Sequence, residues 1–385
     1  MEYMTIIWLT LGLSFTLLTL PGTLELLLLT VGALLPTRKF SKTTANNAPR
    51  HIAVVVPAHN EVANITSCVT SLLACDKPNS QFSVYVVADN CTDDTASCAR
   101  AAGAQVLVRH NEEQRGKGYA LKYAFNILLK QTVDAILVVD ADTIAEPNFI
   151  RVCEQVFTDG AEALQCRYIV NNRQTSMRTR LKHVALLAFN VLRPCGRERW
   201  GLSVGIAGNG FGLRKRVLEA VPYHAYSIVE DLEYHILLIC AGMQVRFVNK
   251  SLIRTDLPTE SDKINSQHAR WEGGRLQMMR KYIPTLLQQV IVAGQLRLLE
   301  PLFELLLLPL ALHVSLLLVT LLIPFVPTQG YALFGLIVVV LHVLAALWIG
   351  GGTFKDLVVL ISVPFYICWK LTQLPRLIKS AKMRS

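Results

Sequence analysis

The chain has 385 residues, enough for one large domain or two ordinary ones, and is 52% hydrophobic but only 17% charged. Soluble domains average about 25% charged residues, so this composition, with a mean hydropathy of +0.38, excludes a disordered chain and a purely soluble one. The net charge of +10 fits anionic lipid or a phosphorylated substrate; without zinc-finger spacing or an RNA-binding signature, it does not point to nucleic acid.

Residues 5–35 are almost continuously apolar, interrupted by Pro21-Gly22 and Glu25. That run is long enough for a ~30 Å hydrocarbon core, which takes about 20 residues. No basic stretch precedes it and no small-residue cleavage site clearly follows, so residues 1–36 read as a retained transmembrane anchor. Arg38, Lys39 and Lys42 follow directly, whereas Glu2 is the only charge before it. The positive-inside rule then places an integral membrane protein with its following domain in the cytoplasm. Nine cysteines, an odd number with no C-x-x-C pair, read as reduced cytosolic thiols.

Residues 50–275 have a mixed, soluble composition. His51–Pro57 is a short β-branched run and reads as a buried parallel strand. A helix over 62–74 precedes a second strand, Phe82–Ala88, which ends at Asp89-Asn90. A helix over 93–102, a strand at 105–108, a helix near 117–130 and a strand at 135–139 follow, the last ending in Asp140-Ala141-Asp142. This alternation predicts an α/β domain with a doubly wound parallel sheet. Such sheets bind ligands beyond the carboxyl ends of their strands, where Pro57 to Glu61, Asp89 and Asp140 to Asp142 all fall.

The C-terminal part is apolar again. Residues 300–350 hold two expected spans, 302–326 and 331–350, joined by an uncharged turn at Pro327–Gly330. Residues 354–385 combine a short apolar segment, interfacial or re-entrant, with a basic cytosolic tail. Two further stretches, 173–199 and 276–299, mix Arg and Lys with apolar residues. They read either as basic amphipathic helices on an anionic leaflet or as ordinary surface helices.

Five clusters carry candidate chemistry. Asp140 and Asp142 flank a small residue directly after an apolar strand, an arrangement that can share Mg²⁺ or Mn²⁺ with a diphosphate. Arg115-Gly116-Lys117-Gly118 opens a helix, where glycines and the helix N-terminus admit a phosphate. Gly208-Asn209-Gly210 is a turn that lets backbone approach a sugar ring. Glu230-Asp231 either caps a helix or supplies a general base. Gln267-His268-Ala269-Arg270-Trp271 joins a guanidinium suited to phosphate with an aromatic platform.

Taken in this order, the motifs resemble those of the membrane-bound inverting glycosyltransferases of family 2. That group includes cellulose, poly-N-acetylglucosamine and hyaluronan synthases and the ceramide glucosyltransferases. The resemblance spans about residues 50–280 and rests on Val56–Glu61, Ala88–Asp94, Arg115–Gly118, Asp140–Asp142, Gly208–Gly210, Glu230-Asp231 and Gln267-x-x-Arg270-Trp271. It implies a GT-A catalytic domain with a mixed, Rossmann-like sheet. By position, it implies that Pro57, Glu61 and Asp89 hold the nucleoside of a nucleotide sugar, usually a UDP-sugar. Lys117 would approach the diphosphate, Asp140 would lie near the donor, and Asp142 would ligate the metal. Gly208 and Asn209 would approach the sugar, and Asp231, beside Glu230, would be the base. Gln267, Arg270 and Trp271 would hold the diphosphate and the acceptor end.

The chain departs from the processive members of that group. Its few membrane segments are sparse for a polymer channel, and Val229 stands where those enzymes usually have Thr. The departures favour single transfer to a lipid or glycan acceptor at the membrane over processive polysaccharide synthesis. A non-catalytic nucleotide-sugar scaffold would not need the base. A pyrophosphorylase would need neither the anchors nor the acceptor platform.

Overall fold

The computed structural model describes residues 2–36, 48–256 and 261–366; the side chains of 261–272 lie outside that set. The chain divides into two compact units. One comprises Thr37–Arg173 and Gly201–Leu257; the other comprises Met1–Pro36, Gln174–Trp200 and Pro258–Ser385. Residues 174–200, expected inside a continuous 50–275 domain, therefore group with the apolar helices.

Among the described residues, the first unit is built on one eight-stranded sheet. Its strands are β1 (His51–Ala58), β2 (Gln81–Asp89), β3 (Gln105–Arg109), β4 (Ala135–Val138), β5 (Thr143–Ala145), β6 (Ala163–Val170), β7 (Phe211–Arg214) and β8 (Val245–Thr255). The spatial order is β3-β2-β1-β4-β7-β6-β8-β5. The first four strands are parallel. Ile52 through Val56 are all buried, as expected of a strand covered on both faces. Helices Ile65–Leu73 and Phe149–Thr158 pack their buried side chains, including Leu72, Phe149 and Phe157, against Val54, Val86 and Leu137.

Parallel winding ends at β4, and beyond it the sheet is mixed, as the family resemblance implies. β7 runs antiparallel to both β4 and β6, β6 pairs with β8 in parallel, and β5 pairs antiparallel with β8. A register irregularity between Cys166 and Arg167 bends the β6–β8 ladder. The chain winds from β1 to β2 and β3 on one side and to β4 on the other, so β1 and β4 flank a topological switch point. Ligands of open α/β sheets sit outside the strand ends at such a point.

Among the described residues, the second unit contains two helices long and apolar enough to cross a bilayer, Ile6–Leu34 and Val326–Gly350. The span expected over 302–326 is not one straight helix. Leu296–Leu306 and Leu310–Leu322 meet at 82°, with Pro309 at the break, where a missing N–H stops the first helix from running on. The expected turn at 327–330 lies inside the helix Val326–Gly350. Pro327 occupies its first turn, where its lost donor has no helical acceptor to miss. Near the end of the described residues a short helix, Phe354–Val358, runs into a 3₁₀ turn, Val359–Ser362, after which residues 363–366 are again helical. The basic tail from residue 370 lies outside the described residues.

Residues 173–199 do not form a wholly lipid-facing basic surface. Lys182, Arg193 and Arg197 are buried. The Arg197 guanidinium meets Glu25 at 3.0 Å, Glu304 at 3.4 Å, and Glu300. The charge that interrupted the first apolar run thus has its partner inside the same unit. Polar bonds also tie the long helices: Tyr331 Oη lies 2.9 Å from Thr19 Oγ1 and 3.0 Å from Thr23 Oγ1, and Thr30 Oγ1 lies 2.8 Å from His342 Nδ1.

Candidate functional site

The carboxyl edge of the parallel strands builds the site. Register sets Ala58 beside Ala88 and Asp89 beside Arg109. After β1 the chain turns at Asn60, with φ 56°; after β2 it turns at Asn90, with φ 50°. Both are asparagines, which tolerate the left-handed region better than most side chains. His59 Nδ1 lies 2.7 Å from the Asp89 carbonyl oxygen. The Glu61 N–H donates to Thr95 Oγ1, and the Glu61 carboxylate accepts from Asn64. Pro57, Glu61 and Asp89 therefore occupy adjacent strand ends.

Asp89 is buried and paired with Arg109 at 2.5 Å. Arg109 also donates to the Gln114 carbonyl at 2.8 Å. Asn90 accepts from the Asn111 N–H and donates to its carbonyl. The Asp89 carboxylate thus anchors the loop that leads to Lys117, a structural task the sequence alone does not assign to it.

Lys117 is the first residue of the helix Lys117–Leu128. Its ammonium pairs with Asp140, donates to the Gly208 carbonyl at 2.8 Å, and lies 4.0 Å from Glu230. Burial disfavours its charge, but Asp140, Glu230 and Asp231 outweigh that and hold its pKa above the usual lysine value. Asn209 fixes the opposite wall: its Oδ1 accepts from the Asp140 N–H at 3.1 Å, and its Nδ2 donates to Thr143 at 2.8 Å. Gln165, on β6, donates to the Asn209 carbonyl at 2.8 Å.

Gly208 has φ 74°, and a Cβ there would stand 3.1 Å from Asp231 Oδ2 and 3.5 Å from Lys117 Nζ. A side chain would be strained and would crowd both groups. Glu230 and Asp231 open the helix Glu230–Cys240. Burial pushes the Glu230 carboxyl up to about 7; Lys117 opposes that shift and Asp231 adds to it. Burial also raises Asp231, against the Leu232 N–H, which donates to it at 2.8 Å, and against Lys117.

The structure therefore brings Lys117, Asp140, Gly208, Asn209, Glu230 and Asp231 into one cluster, with Asp142 two residues beyond Asp140. The Asp142 side chain reaches solvent yet sits in a crowded recess. Desolvation, then the negative charge of Asp140, pushes it up to about 6. No set of three His, Cys, Asp or Glu side chains with metal-binding spacing occurs among the described residues. The donor set nonetheless fits a hard cation that shares a diphosphate, since Mg²⁺ commonly takes one or two carboxylates and completes its shell with water and phosphate oxygens. Asp142 has no ion-pair partner among the described residues, and one ammonium faces three carboxylates around Lys117. Surplus negative charge at this edge is what such a cation relieves. Gln267, Arg270 and Trp271 fall on the helix Ser261–Ile291, in the other unit, and their side chains lie outside the described set.

Sequence reading missed Arg109, Gln165 and Thr143. Arg109 ends β3 at the same edge, so its place there was findable from the strand expected at 105–108, though its pairing with Asp89 was not. Gln165 was not, because no strand was expected at 163–170.

A family model, "Glycosyltransferase like family 2", matches residues 49–274. The chain belongs to this family. Probable glycosyltransferase YdaM of Bacillus subtilis (strain 168) is 23% identical over 60% of this chain and 57% of its own length. A beta-monoglucosyldiacylglycerol synthase of Synechocystis sp. is 27% identical over 60% and 49%. Probable glucomannan 4-beta-mannosyltransferase 1 of Arabidopsis thaliana is 24% identical over 60% and 44%. The matched region spans about half the length of these curated relatives. The fold is GT-A: a mannosyltransferase from Pyrobaculum calidifontis, solved with GDP-Man and Mn²⁺, superposes with a TM-score of 0.59 at 16% identity, covering 97% of each chain.

Proposed function

We propose that the protein is an inverting glycosyltransferase that moves a sugar from a nucleotide sugar, a UDP-sugar by resemblance, to a lipid or glycan acceptor held at the membrane. The observation that carries this reading is the approach of Asp231 to Lys117 and Asp140 across Gly208, at the carboxyl edge of a GT-A sheet. Relatives named for a glycolipid synthase and for glucomannan mannosyltransferases support both acceptor classes. The apolar helices favour an acceptor anchored in lipid.

In this reading Asp231 Oδ2 takes the proton of the attacking hydroxyl. Its carboxyl, raised by burial, is a stronger base than an exposed aspartate. Lys117 holds Asp140 and lies close enough to the two acids to oppose the rise that burial imposes on them. Gly208 leaves the space in which sugar and acceptor oxygen meet. Pro57, Glu61 and Asp89 border the nucleoside; for Gln267, Arg270 and Trp271 the resemblance alone supports a part on the diphosphate and acceptor side. Asp142 would hold Mg²⁺ or Mn²⁺, which when bound offsets charge on the leaving diphosphate. Attack opposite the leaving group turns an α-linked donor into a β product. The catalytic unit faces the cytoplasm, on the side of Arg38, Lys39 and Lys42.

The test is sugar transfer in purified membranes offered a panel of labelled nucleotide sugars, with lipid-extractable and polymeric label counted separately. Asp231→Asn is expected to lower kcat about 10²–10⁴-fold, the usual contribution of a general base, with donor binding retained. Near-normal transfer by Asp231→Asn removes it as the base. A ladder of oligomers on one acceptor replaces single transfer with processive synthesis.

A further inference from the structure

Asp231 lies in the first turn of the helix Glu230–Cys240, which a loop, 221–229, joins to the helix Lys215–Ala220. What sets the height of that loop is the first turn of the helix that begins with Lys117. A Cβ on Gly118 would stand only 2.2 Å from the Ala225 carbonyl oxygen, so loop and helix approach to a distance only glycine permits. One residue on, Tyr119 stacks on Tyr226, with centroids 4.5 Å apart and planes 8° from parallel. One turn further, the Lys122 ammonium lies 5.1 Å from the Tyr226 ring centroid. At the next turn, Phe125 meets Tyr223 edge-on at 5.2 Å. The loop is also tied to the helix that bears the acids: Glu233 accepts from the N–H groups of Tyr226 and Ser227 at 3.2 and 3.1 Å. His224 Nδ1 lies 3.0 Å from Tyr226 Oη.

We propose that Gly118 and the Tyr119–Tyr226 stack are positioning residues that hold the Glu230-Asp231 pair in register with the Lys117 ammonium. This rests on the glycosyltransferase reading of the site. One helix then serves both halves of the reaction: its first residue faces the donor-side acid Asp140, and its next two fix where the base stands. Groups acting on one transition state must hold their separation closely, and a shift of about 1 Å can cost on the order of 10²-fold in rate. A single aromatic stack is a small part of the fold's stability but enough to select one loop height.

The experiment compares Tyr119→Leu, Tyr226→Leu, the double variant, Tyr119→Phe, Tyr226→Phe and Asp231→Asn in detergent-purified full-length protein. Each Leu variant is expected to lose about tenfold in kcat with donor KM within about twofold, a loss well inside the cost of a 1 Å misplacement. The double variant should lose little more than either single, because the rings act as a pair. Both Phe variants keep a ring to stack and should restore most of kcat. The acid limb of the pH–kcat profile should rise in the Leu variants, since loosening carries the acids away from Lys117, while Asp140 stays paired with it. Unchanged kcat in the Leu variants, with Asp231→Asn inactive, overturns the inference and leaves the base assignment standing. A loss in the Leu variants that Phe does not restore, with an unmoved limb, reduces the stack to general stability and also overturns it. An active Asp231→Asn removes the function reading first.

Discussion

Lys117 is the residue on which the charges of the site converge: Asp140, Glu230 and Asp231 all raise its affinity for the proton, and it lowers that of Glu230 and Asp231 in return. Lys117→Met removes the only one of these charges that lowers the two acids' affinity for the proton. The acid limb of kcat/KM against pH is therefore expected to move up, beyond any loss in diphosphate binding seen in KM. A limb that stays or falls contradicts this electrostatic reading. Glu230 gives a second pH signature. Its folded carboxyl titrates at about 7 against an ordinary 4.5, so the folded protein binds more protons than the unfolded chain between those values. Stability then falls as pH rises from 4.5 to 7. Glu230→Gln should flatten that part of a plot of Tm against pH, raising Tm at the upper end relative to the parent. The positions of Lys117, Asp140, Gly208, Glu230 and Asp231 were legible in the sequence, because strand ends and glycine turns announce themselves locally. The engagement of Asp89 by Arg109 was not, because it depends on how β2 registers against β3. The Tyr119–Tyr226 stack joins distant parts of the chain and leaves no local signal.

Elements were legible where a short β-branched run is buried on both faces, as in β1, β2 and β4. They were not legible where strands are brief, as in β5 and β7, or where a partner is remote, as β8 is for both β5 and β6. The apolar helices show the same limit. Hydropathy marks a span but not the break at Pro309, and not the charge cluster that gathers Glu25, Arg197, Glu300 and Glu304 from three separate helices. That cluster yields a prediction for the elements it joins. Removing one partner of a buried ion pair costs about 3–5 kcal/mol, because the charges left behind stay buried. Arg197→Met leaves three carboxylates crowded together and should lower Tm in detergent by more than Glu25→Gln, which removes one of three acids. Differential scanning fluorimetry of the parent and the two variants decides it. Equal small shifts would mean that solvent, and not Arg197, neutralises these acids.

The molecule joins a GT-A unit to an apolar helical unit through sequence that alternates between them, with 174–200 leaving the first unit and 201–257 returning to it. On the proposed reading the nucleotide-sugar site lies on one side of a bilayer, and the charges that would decide the side lie next to the first apolar helix. Arg38, Lys39 and Lys42 follow that helix, while Glu2 is the only charge before it, and basic residues within about 15–20 positions of a span set its orientation. Glu112, on the loop before Lys117, has an 87% exposed side chain and takes part only in a long contact with Arg115 among the described ion pairs. Glu112→Cys is therefore a surface reporter outside the acid cluster. In intact cells a membrane-impermeant maleimide should leave it unlabelled. In inside-out vesicles the same reagent should label it well above the background of the described native cysteines, most of which are buried. Reversing the flanking charge, with Arg38, Lys39 and Lys42 all changed to Glu, should redistribute that labelling toward the outside and lower transfer from a cytosolic donor in proportion. Strong labelling of the parent reporter in intact cells would put the catalytic unit on the far side and require a donor delivered there.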